Sequence, residues 1–247
     1  MDFSVITDNL DYFLLGAYPN GPLGGAALTL VLSVLSGVSA ALLGLVLGIA
    51  LSTLKGWPKG TLIAALGFLR AIPVLMLIFW SYFLLPILFH FDIPALFTVV
   101  CALSLIGGAY LAYSVHAGIQ SLPAGQWAAA RALGMRPVQV MRLIILPQAL
   151  PIMLPSFLNQ WVSLIKDTSL AYVIGVGELS FVATQVSNRV MVHPTEIFLF
   201  VALVYFVFCT SLDLLAGVLT RKRKTAPARQ TEPSTETKAL FPSTEIS

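Results

Sequence analysis

Charged residues are scarce in this chain, at 10% of 247 residues, whereas a soluble domain carries about a quarter. Hydrophobic residues make up 57%, and the mean hydropathy is +0.89. These values exclude an ordinary water-soluble domain, a disordered chain and a collagen-like fibre, and they predict a polytopic membrane protein. The apolar runs are continuous and do not alternate with a period of two, so membrane-spanning β-strands are excluded as well.

Residues that could carry catalysis or bind a metal are few and scattered. Cys101 and Cys209 each lie inside an apolar run, and we interpret them as small buried side chains. His90, His116 and His193 show no ligand spacing, so we expect no metal site. A Gly-x-x-x-x-Gly-Lys-Ser phosphate loop is absent, and no nucleophile and base converge at one depth. We therefore expect a chain that is not an enzyme and does not itself hydrolyse ATP.

Five stretches are long and apolar enough to cross a bilayer as helices, which takes about 20 residues each. They cover approximately residues 24–54, 62–89, 94–118, 149–176 and 195–220. The predicted fold is an all-α, five-helix transmembrane bundle.

The two ends of the chain differ from this bundle. Residues 1–23 contain Asp2, Asp8 and Asp11 and no Lys or Arg, which is unlike a secretory signal. We predict an external lead-in, with an amphipathic helix at the membrane interface. Residues 221–247 are rich in Thr, Ser, Pro and Glu, and we predict a disordered cytoplasmic tail.

Basic residues predict the orientation, because cytoplasmic loops are enriched in Lys and Arg. With the N-terminus outside, only Arg189 falls in an outer segment. The basic residues that then lie inside are Lys55, Lys59, Arg131, Arg136, Arg142, Arg221, Lys222, Arg223 and Lys224. We predict an outside N-terminus and an inside C-terminus, and we expect no nucleic-acid partner, because the basic run at the end of the last span is typical of a membrane-edge anchor.

Small residues repeat every four positions in two of the spans. Ala40, Gly44 and Gly48 do so in the first, and Gly108 and Ala112 do so in the third. This spacing lets helix backbones approach closely. Two interpretations remain open, a contact between two subunits and a contact within one.

One inner loop, at about 119–147, is much longer than the other connections. Ser121 is a candidate N-cap, with Pro123 in the first turn of the helix that follows. Gly134 suits a left-handed exit from that helix, and we expect Pro147 to end a second helix. The loop is predicted to be a compact helix–turn–helix at the inner surface, either docked on a partner or lying on the lipid.

The same loop resembles the EAA loop of ABC importer permeases. The matching residues are Ala129, Ala130, Gly134, Ile144, Leu146 and Pro147. Other segments resemble the polar amino acid branch, and the Arg-x-x-Pro and Asp-Thr-Ser-Leu segments are most similar to its glutamate/aspartate permeases. These segments are 70–75, 125–126, 132–135, 146–149, 166–170 and 173–179.

The resemblance covers residues 24–220 and implies a type I permease domain in the bacterial inner membrane. It implies partners: an ABC ATPase dimer that binds ATP, a second permease subunit, identical or homologous, and an external solute-binding protein. This chain would bind no cofactor itself, and its loop 121–147 would dock on the ATPase. The implied coupling residues are Gly125, Gln126, Ala128, Ala129, Ala130, Arg131, Gly134 and Pro147. Ala128 replaces the signature glutamate, which leaves docking to shape, to Arg131 and to backbone contacts.

Charges inside the spans are candidates for the substrate pathway, because a mid-bilayer charge costs about 2.5–3.5 kcal/mol. Lys166 and Asp167 lie in the fourth span, followed by Thr168 and Ser169. Adjacent helix residues point about 100° apart, so a simple ion pair explains the two charges poorly. A wet pathway that satisfies both the ammonium and the carboxylate of an amino acid and a structural pair with another helix both remain open.

Arg70 is a further pathway candidate. If the second span begins near Ala71, Arg70 is an anchor at the inner edge. If it begins near Thr61, Arg70 lies roughly 14 Å inside, and Pro73 then kinks the helix beside the pathway. Outside the spans, we expect Glu178 and Glu196 at the solvated interface.

A different class of function also fits these charges. An ion-coupled secondary transporter could use Lys166 and Asp167 as its coupling site. Its transport would survive loss of ATP, and an internal inverted repeat would favour it. The sequence shows no such repeat.

Overall fold

The computed structural model of the chain describes residues 4–90, 92–191 and 194–221. Over these ranges the chain is helical, apart from turns and two isolated β-bridges. The helices are α1 (Ser4–Asp8), α2 (Leu10–Leu15), α3 (Gly25–Thr53), α4 (Trp57–Ala71), α5 (Val74–Phe79), α6 (Leu85–Phe89), α7 (Ala95–Gln120), α8 (Ala124–Ala132), α9 (Pro137–Val140), α10 (Leu146–Asp167), α11 (Leu179–Val190) and α12 (Pro194–Arg221). The predicted all-α class is confirmed.

Four continuous helical stretches among the described residues are long and apolar enough to cross a membrane. They are Gly25–Thr53, Ala95–Gln120, Pro137–Ile174 and Pro194–Val218. A fifth crossing is made if the bent pair formed by Trp57–Ala71 and Val74–Leu88 counts as one span. The four continuous stretches match four of the five predicted spans, and the bent pair occupies the place of the predicted second one; the second and the fourth differ from their predicted form.

The centre of the bundle is the contact between α3 and α7, which is built on glycine. A Cβ placed on Gly44 would lie 2.4 Å from the Cβ of Leu111, and one on Gly48 would lie 2.4 Å from the Cβ of Val115. A Cβ on Gly108 would lie 2.9 Å from a leucine side chain of α3. Because these distances leave no room for a side chain, the small residues serve contact within the subunit.

The second span is broken near its middle. Its two halves meet at 99°, at Ile72 and Pro73. Proline has no N–H to continue the helix and disfavours a helical residue before it, and Ile72 is accordingly extended, with φ −77° and ψ 129°. Before the break, α4 packs through Leu66 on the inner half of α7; after it, Ile78 packs on the outer half.

The fourth span is longer than predicted, because it begins inside the loop. The helix runs for 38 residues from Pro137 to Ile174, so the prediction that Pro147 ends a separate helix is wrong. A π turn over Met141–Ile145 precedes Pro147, and the helix restarts at Leu146. Pro147 therefore stands in a first turn, where a missing N–H is tolerated. At the other end, the backbone tightens into a 3₁₀ segment over Thr168–Ile174.

The outer end of the bundle is covered by α1, α2 and α11. Phe13 of α2 is fully buried in an apolar cluster with Leu179, Val182 and Ile197. The predicted lead-in thus contains two short helices that pack on the bundle. The predicted disordered tail lies, beyond its first residue, outside the described residues.

Candidate coupling loop and substrate pathway

The first loop helix, α8, begins at Ala124 after Pro123. Ser121 does not cap it, so that prediction is wrong: its hydroxyl donates to the carbonyl oxygen of Gly118 at 2.8 Å and closes the end of α7 instead. The reason is that the chain leaves α7 only at Ser121, so the nearest free backbone group is a carbonyl of the preceding helix and not an amide of the next.

The end of α8 is a tight left-handed turn. Gly134 has φ +79°, as predicted from its position in the sequence. Its N–H donates to the carbonyl of Arg131 at 3.0 Å, and the N–H of Met135 donates to that of Ala130 at 3.2 Å. These two bonds form a Schellman motif, which satisfies the last helix carbonyls and reverses the chain.

One face of α8 is anchored and the other is open. Ala130 is buried in an apolar cluster with Val140 and Met141, whereas Ala128, Ala129 and Arg131 are exposed. Among the other predicted coupling residues, Gly125, Gly134 and Pro147 are also exposed, and Gln126 is half-buried.

Two large apolar residues beside α8 are strongly exposed. Leu133, which directly follows α8, is 82% exposed, and Val138, in α9, is 76% exposed. Sequence reasoning missed them, because a leucine or a valine in such a loop gives no signal until its burial is known. Exposed apolar side chains on a structured loop favour contact with a partner or with lipid over bulk water.

Gln126 of α8 forms a reciprocal pair with Gln148 of α10. Gln126 Nε2 donates to Gln148 Oε1 at 3.0 Å, and Gln148 Nε2 donates to Gln126 Oε1 at 2.9 Å. The predicted coupling loop is thereby joined by side chains to the first turn of α10, within the fourth span.

Arg70 lies in the last turn of α4, immediately before the break in the second span. Its guanidinium carbon is 4.8 Å from the ring centroid of Tyr110 and 4.7 Å from that of Tyr113. Both tyrosines lie roughly 10–15 Å from the inner end of α7, at 1.5 Å per residue. The structure therefore favours the deep position over the inner-edge anchor. The cation is stabilised there by two aromatic faces and by the negative end of the α4 dipole.

Lys166, Asp167, Thr168 and Ser169 lie where α10 changes into the 3₁₀ segment. Lys166 is exposed, Asp167 and Ser169 are half-buried, and Thr168 is fully buried. The hydroxyl of Thr168 donates to the carbonyl of Ile165 at 2.6 Å, and that of Ser169 donates to Lys166 at 2.7 Å. Both hydroxyls therefore bond to backbone carbonyls where α10 changes into the 3₁₀ segment. The charged groups of Lys166 and Asp167 are not used in these two bonds.

The structure does not gather all predicted pathway residues into one contact. Arg70 lies against α7 near Tyr110, whereas Lys166 and Asp167 follow Leu164, which packs beside Gly107 of the same helix.

Glu178 is fully buried at the outer end, so its predicted place at the solvated interface is wrong, and Glu196 is buried as well. Glu178 caps α11 by accepting bonds from the backbone N–H groups of Ser180 and Phe181, each at 2.9 Å. Tyr205 of α12 donates to the same carboxyl at 2.8 Å. Sequence position could not reveal this burial, because α3 and α12 close over Glu178 from distant parts of the chain.

Burial raises the pKa of Glu178 to about 7, because the carboxylate loses its water, although the hydrogen bonds from Ser180, Tyr205 and Phe181 oppose that rise. A further link joins this end to α3, since the N–H of Leu179 donates to Thr29 Oγ1 at 3.1 Å. The N–H of Gly25 also donates to the carbonyl of Gly177 at 2.9 Å. We call Glu178, Tyr205 and Thr29 the outer brace.

Residues 40–225 match the family described as the binding-protein-dependent transport system inner membrane component. The chain belongs to this family. The permease is 33% identical over 239 residues to the glutamate/aspartate import permease protein GltK of Escherichia coli O6:H1, covering 91% of this chain and 98% of that protein. It is also 33% identical over 202 residues to the L-cystine transport system permease protein TcyB of Bacillus subtilis, covering 81% of this chain and 85% of that one.

Solved structures agree with this assignment. The permease superposes on the crystal structure of an amino acid ABC transporter with histidines, with a TM-score of 0.76 and 28% identity, covering 90% of this chain and 99% of the other. An inward-facing MetNI methionine ABC transporter shares the fold, with a TM-score of 0.68 at 20% identity over 79% of this chain and 92% of the other. The resemblance to ABC importer permeases is confirmed, and the protein is a multi-pass membrane permease subunit. The ion-coupled alternative receives no support.

Proposed function

We propose that this permease is one of two membrane subunits of an ATP-driven amino acid importer in a bacterial inner membrane, with glutamate and aspartate as its solutes. An external binding protein delivers the solute, and a separate ATPase dimer binds and hydrolyses ATP. The second subunit is an identical or homologous permease. This chain carries transport residues and no catalytic ones.

The observation that carries the proposal is the inner loop. A short helix with an open alanine face ends in a glycine turn beside the exposed Leu133 and Val138. Small side chains let the α8 backbone enter a partner's groove, and the two apolar residues gain free energy when that groove covers them. Ala128 removes the signature carboxylate, so shape and apolar contact take over part of the docking.

The choice of solute rests on charge and on the relatives. Arg70 and Lys166 supply two positive charges and Asp167 one negative, which leaves a net charge of +1 on the predicted pathway. An acidic amino acid has one ammonium and two carboxylates, and its net charge of −1 complements this set. The relative GltK is named for the import of glutamate and aspartate.

The pathway is proposed to pass the break in the second span. Helix ends that meet at mid-depth expose unpaired backbone groups, and in membrane proteins these are tolerated where they line a cavity. Arg70 stands at that break, held by the rings of Tyr110 and Tyr113. It would bind a solute carboxylate weakly enough for release, because a transit site that holds tightly does not conduct.

Purification in mild detergent followed by reconstitution tests the proposal. We expect an ABC ATPase to co-purify, and we expect proteoliposomes with that complex and its binding protein to take up radiolabelled L-glutamate only when ATP is supplied. L-aspartate should compete, whereas L-lysine should not. Uptake by the isolated chain that depends on an ion gradient and not on ATP would overturn the proposal.

A further inference from the structure

The amide pair between Gln126 and Gln148 links two points that are 22 positions apart in the chain. A single hydrogen bond fixes a distance and leaves rotation free. Two opposed bonds between the same planar groups fix both the separation and the relative orientation. The pair therefore holds α8 at a set position on the first turn of α10.

The orientation of Gln148 is set by the backbone before it meets Gln126. Gln148 Nε2 also donates to the carbonyl of Ile144 at 2.9 Å, so both of its N–H groups are used. A flipped amide would turn its oxygen towards that carbonyl. The side chain is thus ready to pair with Gln126.

The backbone route between the same two helices is much softer. From α8 it passes the Gly134 turn, the four residues of α9 and the π turn over Met141–Ile145. Pro147 follows and provides no N–H. Because π turns and proline interrupt the regular ladder of hydrogen bonds, a displacement of α8 can be absorbed along this route.

Apolar packing does not replace the pair. Ala130 of α8 lies in a cluster that also includes Met141 and Ala149 of the fourth helix stretch. Such contacts are non-directional, so the helices can slide while the apolar surfaces stay covered.

We propose that the Gln126–Gln148 pair transmits the movement of α8 to the fourth span. Both are positioning residues, since they act through the helices that they join. The inference rests on the proposed function, because it assumes that an ATPase moves α8. Without the pair, ATP hydrolysis continues but moves the span less.

The test uses the reconstituted complex of permease, ATPase and binding protein, with radiolabelled L-glutamate as the probe. For Gln148→Ala we expect a complex that assembles and hydrolyses ATP close to the wild-type rate. Uptake per ATP hydrolysed should fall about fivefold or more, the size of a typical coupling between sites. Gln139→Ala is the matched control: Gln139 lies in the same loop, and its side chain accepts the Arg136 N–H, at 2.8 Å. Its uptake per ATP should not change.

A second experiment replaces the amide pair with an ion pair. Recovery of uptake per ATP would show that the link between the two helices matters, and not merely the presence of glutamine. In Gln126→Glu combined with Gln148→Lys, the lysine can donate both to the new carboxylate and to the Ile144 carbonyl, so uptake per ATP should recover. The reversed pair, Gln126→Lys with Gln148→Glu, sets a carboxylate against that carbonyl and should not recover.

Two outcomes overturn the inference: unchanged uptake per ATP in Gln148→Ala, or a loss that the combination of Gln126→Glu with Gln148→Lys does not restore. If the unaltered complex itself shows no ATP-dependent uptake, the proposed function fails, and that result is visible without any variant.

Discussion

At the outer end of the bundle, the outer brace joins α3, α11 and α12 through hydrogen bonds that are buried or part-buried. At the inner end, α8 is joined to the fourth span through an exposed pair of amides. The same kind of bond therefore serves in two different surroundings. A buried donor that loses its partner costs about 1–3 kcal/mol, whereas an exposed amide exchanges its partner for water.

This difference separates a rigid end from an articulated one. The outer brace stabilises the fold and holds three elements as a unit. The inner pair adds little stability, and its value lies in the direction of the contact. Substitutions at the outer end should therefore reduce stability first, and those at the inner end should reduce transport first.

The largest effect is expected at the inner turn. Gly134→Val places a β-branched residue at φ +79°, a conformation that costs about 1–2 kcal/mol for residues with a Cβ. The turn should re-form differently and misdirect α8, so uptake is lost. Within the described part of the chain, and apart from its chain neighbours, no heavy atom lies within 4 Å of a Cβ at this position, so abundance in the membrane should stay normal. Gly134→Asn, which tolerates left-handed backbone better, should retain part of the uptake; normal uptake in the valine variant would contradict the docking proposal.

A large effect is also expected between the two ends, at Asp167. Asp167→Asn keeps the shape of the side chain and removes its charge, so solute transfer should fall far more than abundance. Uptake and membrane level, measured on the same cells, check this. Thr168→Val is a contrast, because Thr168 is fully buried and its hydroxyl caps Ile165; it should lower stability. Equal loss of uptake and abundance in Asp167→Asn would favour a structural ion pair.

The outer brace should show the opposite balance. Glu178→Ala leaves the N–H groups of Ser180 and Phe181 and the hydroxyl of Tyr205 without their partner, at a cost of about 2–4 kcal/mol for the group. Thermal unfolding of the purified permease in detergent should shift accordingly. Gln148→Ala, in the same assay, should unfold near the wild-type temperature. Similar shifts in both variants would remove the distinction between the two ends.

A smaller effect follows from the pKa of Glu178, raised from an ordinary 4.5 to about 7 by burial. Below pH 4.5 the carboxyl is protonated in both the folded and the unfolded chain. As the pH rises from 4.5 to about 7, Glu178 ionises in the unfolded chain before it does so in the folded one. The free energy of unfolding therefore falls by up to about 3 kcal/mol, and it falls no further above pH 7. Unfolding temperatures between pH 4.5 and 8 check this, and Glu178→Gln should flatten the slope. An equal slope in that variant would assign the pH dependence to other groups.

The smallest effect is expected from the tail. A chain cut after Lys224 loses none of the residues proposed to dock, brace or conduct, so uptake should equal that of the full chain. The matched variant is a chain that ends at Thr220. It also lacks the predicted basic anchor at Arg221–Lys224, and its abundance should be lower. An inactive chain after the first cut would contradict the predicted passive tail.

The parts that sequence predicted correctly depend on local chemistry. Apolar runs reveal spans because the bilayer imposes a length on them, and Gly134 revealed a left-handed turn because few other residues adopt one. For Arg70 the sequence allows two positions, and the helix start at Trp57 with the rings of Tyr110 and Tyr113 favours the deeper one.

The parts that sequence missed depend on distant neighbours. Pro147 was expected to end a helix, but the preceding π turn lets the helix restart around it. Glu178 was expected in water. Instead, Tyr205 of another span donates to its carboxyl, and the N–H of the next residue, Leu179, donates to Thr29. Gln148 lies in one of the segments that resemble the family, but its pairing with Gln126 depends on the fold and follows from no spacing in the sequence.

The break at Ile72 and Pro73 also constrains how the chain enters the membrane. The first half of that span, Trp57–Ala71, has 15 residues, or roughly 22 Å, which is shorter than the hydrocarbon layer of about 30 Å. Neither half can therefore settle in lipid as an independent rod, and the carbonyls freed at the break need shelter. That shelter is α7, which packs on both halves. We therefore expect the second segment to insert together with the third, as a pair of helices.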